Sequence, residues 1–235
     1  MTQAPLMDRI HITEDYDVPR VINGGWQLSA GHALERPLDL ADATRAFNRL
    51  IDMGFDTFDC ADIYTGVEDF FGGIIRERRK AGLRLPQIHT KFVPDLNDLA
   101  NVTPAYVENI ITRSLRRLGV ERLDAVQFHW WDYSVPGMVD VAGATNQCQY
   151  SVLDRRPAMR LKRLCRETGV KLLCYGTVAG GFMSEKWLGA PKPDHFENRS
   201  LVKYALVIED SLRWEGFQAL LALMKEIGDP LGLSI

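Results

Sequence analysis

The feature that most limits the fold is a change of period that repeats along the chain. Helix-length stretches with apolar residues three and four apart give way to short apolar runs, and the pattern then starts again. Residues 39–53 place Ala43, Ala46, Phe47, Leu50 and Ile51 on one helical stripe, with Gly54 at the position that ends it. The run F-D-T-F-D-C (55–60) follows as a strand, then a helical stretch near 67–80, then P-Q-I-H-T-K-F (86–92) as a second strand. Thr103-Pro104 reads as an N-cap with proline at N1, opening a helix that buries Val107, Ile110, Ile111, Leu115 and Leu118 and stops at Gly119. L-D-A-V-Q-F-H-W (123–130) is the next strand, and Phe217, Leu220, Leu221 and Leu223 mark a helix within 211–226.

Strands alternating with helices at this spacing predict a parallel sheet of βα units. In such folds chemistry collects at the carboxyl ends of the strands. Asp59, Lys91 and His129 each fall at or just past the end of a short apolar run, and Tyr64 lies five residues beyond Asp59 in the following loop. A carboxylate, an ammonium, an imidazole and a phenol converging there would make a proton-donating site, because an ammonium near a phenol favours the phenolate. A plain structural reading stands beside it, in which Asp59 and Lys91 form an ion pair while Tyr64 and His129 close strand ends.

Charge and composition narrow the partners. A net charge of −3 gives no nucleic-acid footprint and no match to an anionic membrane surface. No apolar run approaches the ~20 residues of a membrane helix, and the first ten residues lack a signal-peptide core. A cytoplasmic protein acting on a small molecule is the expectation. The four cysteines, Cys60, Cys148, Cys165 and Cys174, lack metal-site spacing, so reduced core thiols and no metal are expected.

The segments D-C-A-D-I-Y-T-G with Glu68, H-T-K-F, S-L-R-R-L-G-V-E-R-L-D-A-V-Q-F-H-W, N-Q-C-Q-Y-S and K-L-L-C-Y-G-T-V-A-G-G occur in this order between about Val21 and Lys186. Together they resemble the aldo-keto reductase superfamily. The resemblance implies a (β/α)8 TIM-type barrel that reduces an aldehyde or ketone with NADPH, NADH remaining open. By position it makes Tyr64 the general acid, Lys91 and Asp59 the pair that tunes it, and His129 the group orienting the carbonyl. It makes Gln147 a partner of the nicotinamide carboxamide and Tyr175 the ring stacking on the nicotinamide. Gly176, Thr177 and Val178 become the loop along the pyrophosphate, and Gly25 and Trp26 the first-strand loop beneath the nicotinamide. Glycine pairs of this kind are weak motifs, since after an apolar run they more often mark a turn.

Two departures qualify that expectation. Between His129 and the strand at 147–152, Pro136, Gly137 and Gly143 leave room for one helical turn, whereas a parallel crossover takes a dozen or more residues and a helix. An internal deletion near 141–146 is therefore expected within one domain spanning 1–235. The sequence also ends where the family would supply its last strand and the loop for the adenosine 2′-phosphate, which reads as a truncation. Strands near 20–24, 55–60, 87–92, 123–129, 147–152 and 171–176 give an incomplete barrel of about six parallel strands. An impaired fold offset by oligomerisation is the consequence expected. The competing readings are a truncated or mis-spliced reductase product, or a non-catalytic binding or regulatory relative.

Overall fold

A computed structural model describes residues 7–35, 37–132, 134–135 and 145–235. The chain forms two compact units, Met1–His32 with Pro37–Val141 and Ala33–Arg36 with Ala142–Ile235. Most of the expected 141–146 join lies outside the described residues.

The first unit opens with an antiparallel hairpin, β1 (Arg9–Thr13) and β2 (Tyr16–Pro19), which the sequence reading does not contain. Its elements then run β3 (Asn23–Gly24), α1 (Leu40–Asp52), β4 (Thr57–Asp59), α2 (Val67–Lys80), β5 (Gln87–Phe92), α3 (Pro104–Leu118) and β6 (Ala125–Phe128). The strands β3-β4-β5-β6 form one parallel sheet in chain order. This is the βα rhythm expected of the sequence.

Local chemistry sets the helix ends. Asp39 accepts hydrogen bonds from the Ala41 and Asp42 amides at the start of α1, and Thr103 accepts one from Tyr106 with Pro104 at N1 of α3. Gly119, at φ +67°, ends α3 as expected. Burial then fixes the faces. Ile51, Phe58, Val67, Phe71, Ile74, Ile75, Ile88 and Leu118 form the core between sheet and helices, with Phe47 and Leu50 packed on it. Phe58 and Phe71 stack at 5.3 Å, and Phe47 meets Phe58, Phe70 and Phe71 at 5.0–5.6 Å.

The β1–β2 hairpin lies at the amino ends of β4 and β5. Arg9 spans Asp17 and Asp56 at 2.7 and 2.8 Å, and the Tyr16 hydroxyl is 2.9 Å from His89 Nε2. Arg84 also pairs with Asp56. Asp56 is therefore a structural carboxylate joining the hairpin to the sheet. Burial pushes the His89 imidazole down to about 4 and keeps it neutral there.

The second unit contains β7 (Thr145–Gln149), α4 (Leu161–Thr168), β8 (Lys171–Tyr175), α5 (Arg199–Ser211) and α6 (Arg213–Gly228). β7 and β8 pair in parallel, with Gln147 opposite Leu173 and Cys148 opposite Cys174. The six parallel strands thus occur as four and two among the described residues. Asn198 caps α5 through the Leu201 amide. Phe182 is the centre of this core and meets the rings of Trp187, Phe196, Trp214 and Phe217, while Leu201, Tyr204, Ile208 and Leu221 complete it.

Two side-chain expectations change. Leu223 is half exposed, because the buried stripe of α6 is Trp214, Phe217 and Leu221, at spacings of three and four. Cys174 is exposed and Cys148 is partly so, since β7 and β8 are less covered than β4 and β5; all four thiols are free.

Gly72 allows α2 and α3 to touch. A Cβ at that position would lie 2.1 Å from the Arg117 carbonyl oxygen, which is backbone and cannot swing aside. Alanine normally favours a helix by ~1 kcal/mol over glycine. Here Gly72→Ala should instead destabilise by about 1–3 kcal/mol through overpacking, read as a lower urea midpoint with an unchanged slope.

Candidate functional site

The sheet register explains why charged groups gather on one face. In parallel strands, residues in register share a face, as do residues two apart on one strand. Asp59 pairs with His89 across β4 and β5, Lys91 is two residues further on, and Lys91 pairs with Gln127 of β6. His129 follows Gln127 by two, and its amide donates to the Phe92 carbonyl at 3.0 Å, extending the ladder. Asp59, Lys91, Gln127 and His129 are thus delivered to one face near the carboxyl ends of three strands.

Lys91 is buried, 8% exposed, so its ammonium needs partners. It donates to Asp59 Oδ2 at 2.6 Å and to the Cys60 carbonyl at 2.7 Å. The other oxygen of Asp59 accepts from Gln127 Nε2 at 2.9 Å. Tyr64 arrives from the β4–α2 turn, its ring centroid 5.2 Å from Lys91 Nζ and 5.0 Å from the Trp26 ring. Burial, and secondarily the Lys91 charge, holds the His129 imidazole below its ordinary range. Its ring meets Trp131 edge-on at 4.6 Å.

Gly25 closes this end of the first unit. Its amide donates to the Asp59 carbonyl at 2.7 Å, and an added Cβ would lie 3.0 Å from both that oxygen and Val67 Cγ1. A side chain there would crowd the Asp59 carbonyl, Val67 and Phe71. The structure therefore brings together Asp59, Tyr64, Lys91, Gly25 and Trp26, with His129 within electrostatic reach of Lys91. Such a group can hold a phenol next to a buried cation and hand a proton to an oxygen placed against it.

The remaining predicted residues belong to the second unit. Gln147 is the third residue of β7, and Tyr175, 42% exposed, ends β8. Lys203 Nζ lies over the Tyr175 ring at 4.9 Å. Gly176 turns the chain beneath the Tyr204 hydroxyl, and Thr177 and Val178 are exposed.

Sequence reasoning misses Gln127. Its signal is a lone amide in the apolar run A-V-Q-F, two residues before His129 and so on the same face. It also misses the partners of Asp62 and Glu68, since Arg113 and Arg117 reach them from α3, about fifty positions later.

Known proteins supply the context for this geometry. The Aldo/keto reductase family model matches residues 20–144 and 139–235. Over 91 residues, 37% of the chain, it is 35% identical to flagellar radial spoke protein 5 of Chlamydomonas reinhardtii. Over 70% of its length it is 22% identical to an aldo-keto reductase of Schizosaccharomyces pombe whose name carries NADP(+). It spans 17% and 59% of those two proteins' lengths. Among solved structures, an aldo/keto reductase from Klebsiella pneumoniae in complex with NADP and acetate superposes with a TM-score of 0.54 at 20% identity, over 72% of this chain and 68% of that one. A thermostable aldo-keto reductase crystallised with the inhibitor epalrestat gives 0.61 at 19% identity, over 92% and 98%. At these identities the structural likenesses define the fold, an α/β chain of the (β/α)8 barrel type, incomplete, with six parallel strands among the described residues. Nearly the whole length from residue 20 onward is matched by the family model, and the chain belongs to the aldo/keto reductase family.

Proposed function

We propose that this chain is an oxidoreductase that reduces an aldehyde or ketone to an alcohol with NADPH, in a compartment such as the cytoplasm where thiols stay reduced. The observation that carries the proposal is the buried Lys91 ammonium, bonded to Asp59 at 2.6 Å and 5.2 Å from the Tyr64 ring. In this reading Tyr64 is the acid that protonates the carbonyl oxygen, and Lys91 stabilises the phenolate left behind. Asp59 fixes the ammonium and Gln127 fixes Asp59, so the cation cannot swing away as charge moves. His129, held neutral at the same face, donates a hydrogen bond that orients the carbonyl.

The nicotinamide, when bound, supplies the hydride. Within the first unit, Gly25 and Trp26 are proposed as cofactor contacts; within the second, Gln147, Tyr175, Gly176, Thr177 and Val178 are proposed as cofactor contacts. The half-exposed Tyr175 and the exposed turn after it fit that task. NADH is the alternative cofactor. One observation favours a second, non-catalytic reading: the stretch shared with a radial spoke protein.

Two measurements separate the readings. Tyr64→Phe should lower kcat for carbonyl reduction by roughly 10²–10⁴-fold, the usual worth of a general acid, while the Kd for NADPH changes less than threefold. Parallel loss of both would remove the acid role. In a thermal melt, NADPH at ~100 times its Kd should add about 2.7 kcal/mol and raise Tm by roughly 5–10 °C. A melt that cofactor leaves in place would favour the non-catalytic reading.

A further inference from the structure

A buried network outside the proposed catalytic group holds the turn that carries Tyr64. Asp62, 4% exposed, and Glu68, 1% exposed, bracket that residue. Asp62 Oδ1 accepts from the Val93 amide at 3.0 Å and Oδ2 from Arg113 at 2.9 Å. Its own amide donates to the Lys91 carbonyl at 3.3 Å. Glu68 Oε1 accepts from the Thr90 hydroxyl at 2.7 Å and Oε2 from Arg117 at 3.1 Å, while Arg117 also donates to the Asp62 carbonyl at 2.9 Å. Between these anchors the Tyr64 amide donates to Ala61 O and the Val67 amide to Tyr64 O, each at 3.0 Å. The turn is therefore tied on one side to the residues flanking Lys91 on β5, and on the other to two arginines of α3.

We propose that Asp62, paired with Arg113, is a positioning residue that holds the Tyr64 phenol in register with the Lys91 ammonium. The proposal rests on the carbonyl-reductase reading for its effect on turnover, and on the hydrogen-bond network for its effect on the turn. Burial pushes the Asp62 carboxyl up to about 6, against the pull of the Val93 amide and Arg113 and with the Glu68 charge adding to the rise. The groups facing it are Glu68 from α2, Arg113 and Arg117 from α3, and the backbone of Lys91 and Val93 at the end of β5.

An aspartate with an unfolded pKa near 3.9 and a folded value near 6 binds more protons in the folded state between those values. Its ionised form therefore subtracts stability at pH 7, and this deficit disappears as the pH falls below about 4. The fold keeps the charge at a cost in stability, and the gain is local order around Tyr64.

The decisive test is Asp62→Asn in the full chain. Asparagine keeps an oxygen for the Val93 amide but turns an NH2 towards Arg113. The expected result at pH 7.5 is a kcat lowered about 10- to 100-fold, with NADPH Kd changed less than threefold and Tm no lower than the parent's. The parent's kcat should fall on acidification through about pH 6, and this limb should vanish in the variant. Amide exchange at Tyr64 and Val67 should quicken at least tenfold. Arg113→Gln, changed from the partly exposed side of the pair, should reproduce the loss of kcat and the faster exchange if Asp62→Asn fails to fold. A kcat within twofold of the parent and unchanged exchange would overturn the proposal. If the parent itself shows no turnover, or Tyr64→Phe leaves turnover intact, the carbonyl-reductase reading fails separately; the exchange at Tyr64 and Val67 then decides the positioning role alone.

Discussion

The ion pair between Lys91 and Asp59 is the constraint around which the first unit is arranged. An ammonium taken out of water costs several kcal/mol, and only good geometry repays it. Asp59 Oδ2 and the Cys60 carbonyl supply two acceptors within 2.7 Å, and Gln127 satisfies the remaining carboxylate oxygen. Three adjacent parallel strands must therefore keep their register to within a residue, because a slip of one would turn Lys91 to the opposite face and strand the charge. Phe58 and Ile88, on the alternate face, enforce that register from the other side by filling the core against α1 and α2.

The three aspartates of the 55–66 segment show how position along one strand separates roles. Asp56 precedes β4 and meets Arg9 and Arg84, so it ties the hairpin to the amino end of the sheet. Asp59 ends β4 and holds Lys91. Asp62 lies past the strand and holds the turn through Arg113. Their spacing of three takes successive carboxylates from below the sheet, to its face, to the loop beyond it. The dense charge around this buried strand is thus three separately neutralised carboxylates, Asp56 by Arg9 and Arg84, Asp59 by Lys91 and Asp62 by Arg113.

The two units bury their aromatic residues differently. In the first, phenylalanines from α1, β4 and α2 interlock between sheet and helix. In the second, Phe182 follows β8 and sits among Trp187, Trp214 and Phe217, with α5 and α6 packed around it, so the core is mostly helical and the strand pair is only partly covered. That difference explains the exposure of Tyr175 and Cys174. It also explains why Tyr175, Thr177 and Val178, proposed to meet a cofactor, lie on open surface while Lys91 does not.

Much of the first unit was legible in the residues. Periods of 3.6 and 2, a proline behind Thr103 and a glycine after Leu118 are local signals, and they set β4, β5, α1 and α3 close to where they form. The β1–β2 hairpin was not legible, because its stability comes from Arg9 reaching Asp56, forty-seven residues away. α4 and α5 were not legible either: α4 buries a single residue, Cys165, and the burial of α5 depends on what packs against it. By itself the sequence determined which strands alternate with which helices, and that Asp59, Lys91 and His129 fall at or just past the carboxyl ends of strands, with Tyr64 in the loop after the first of them. Only tertiary structure decided that Gln127 completes the Asp59 shell, and that Arg113 and Arg117 arrive from α3 to hold the turn at Tyr64. Those partners are separated by some fifty to seventy positions, and no local period encodes which distant side chain will neutralise a buried charge.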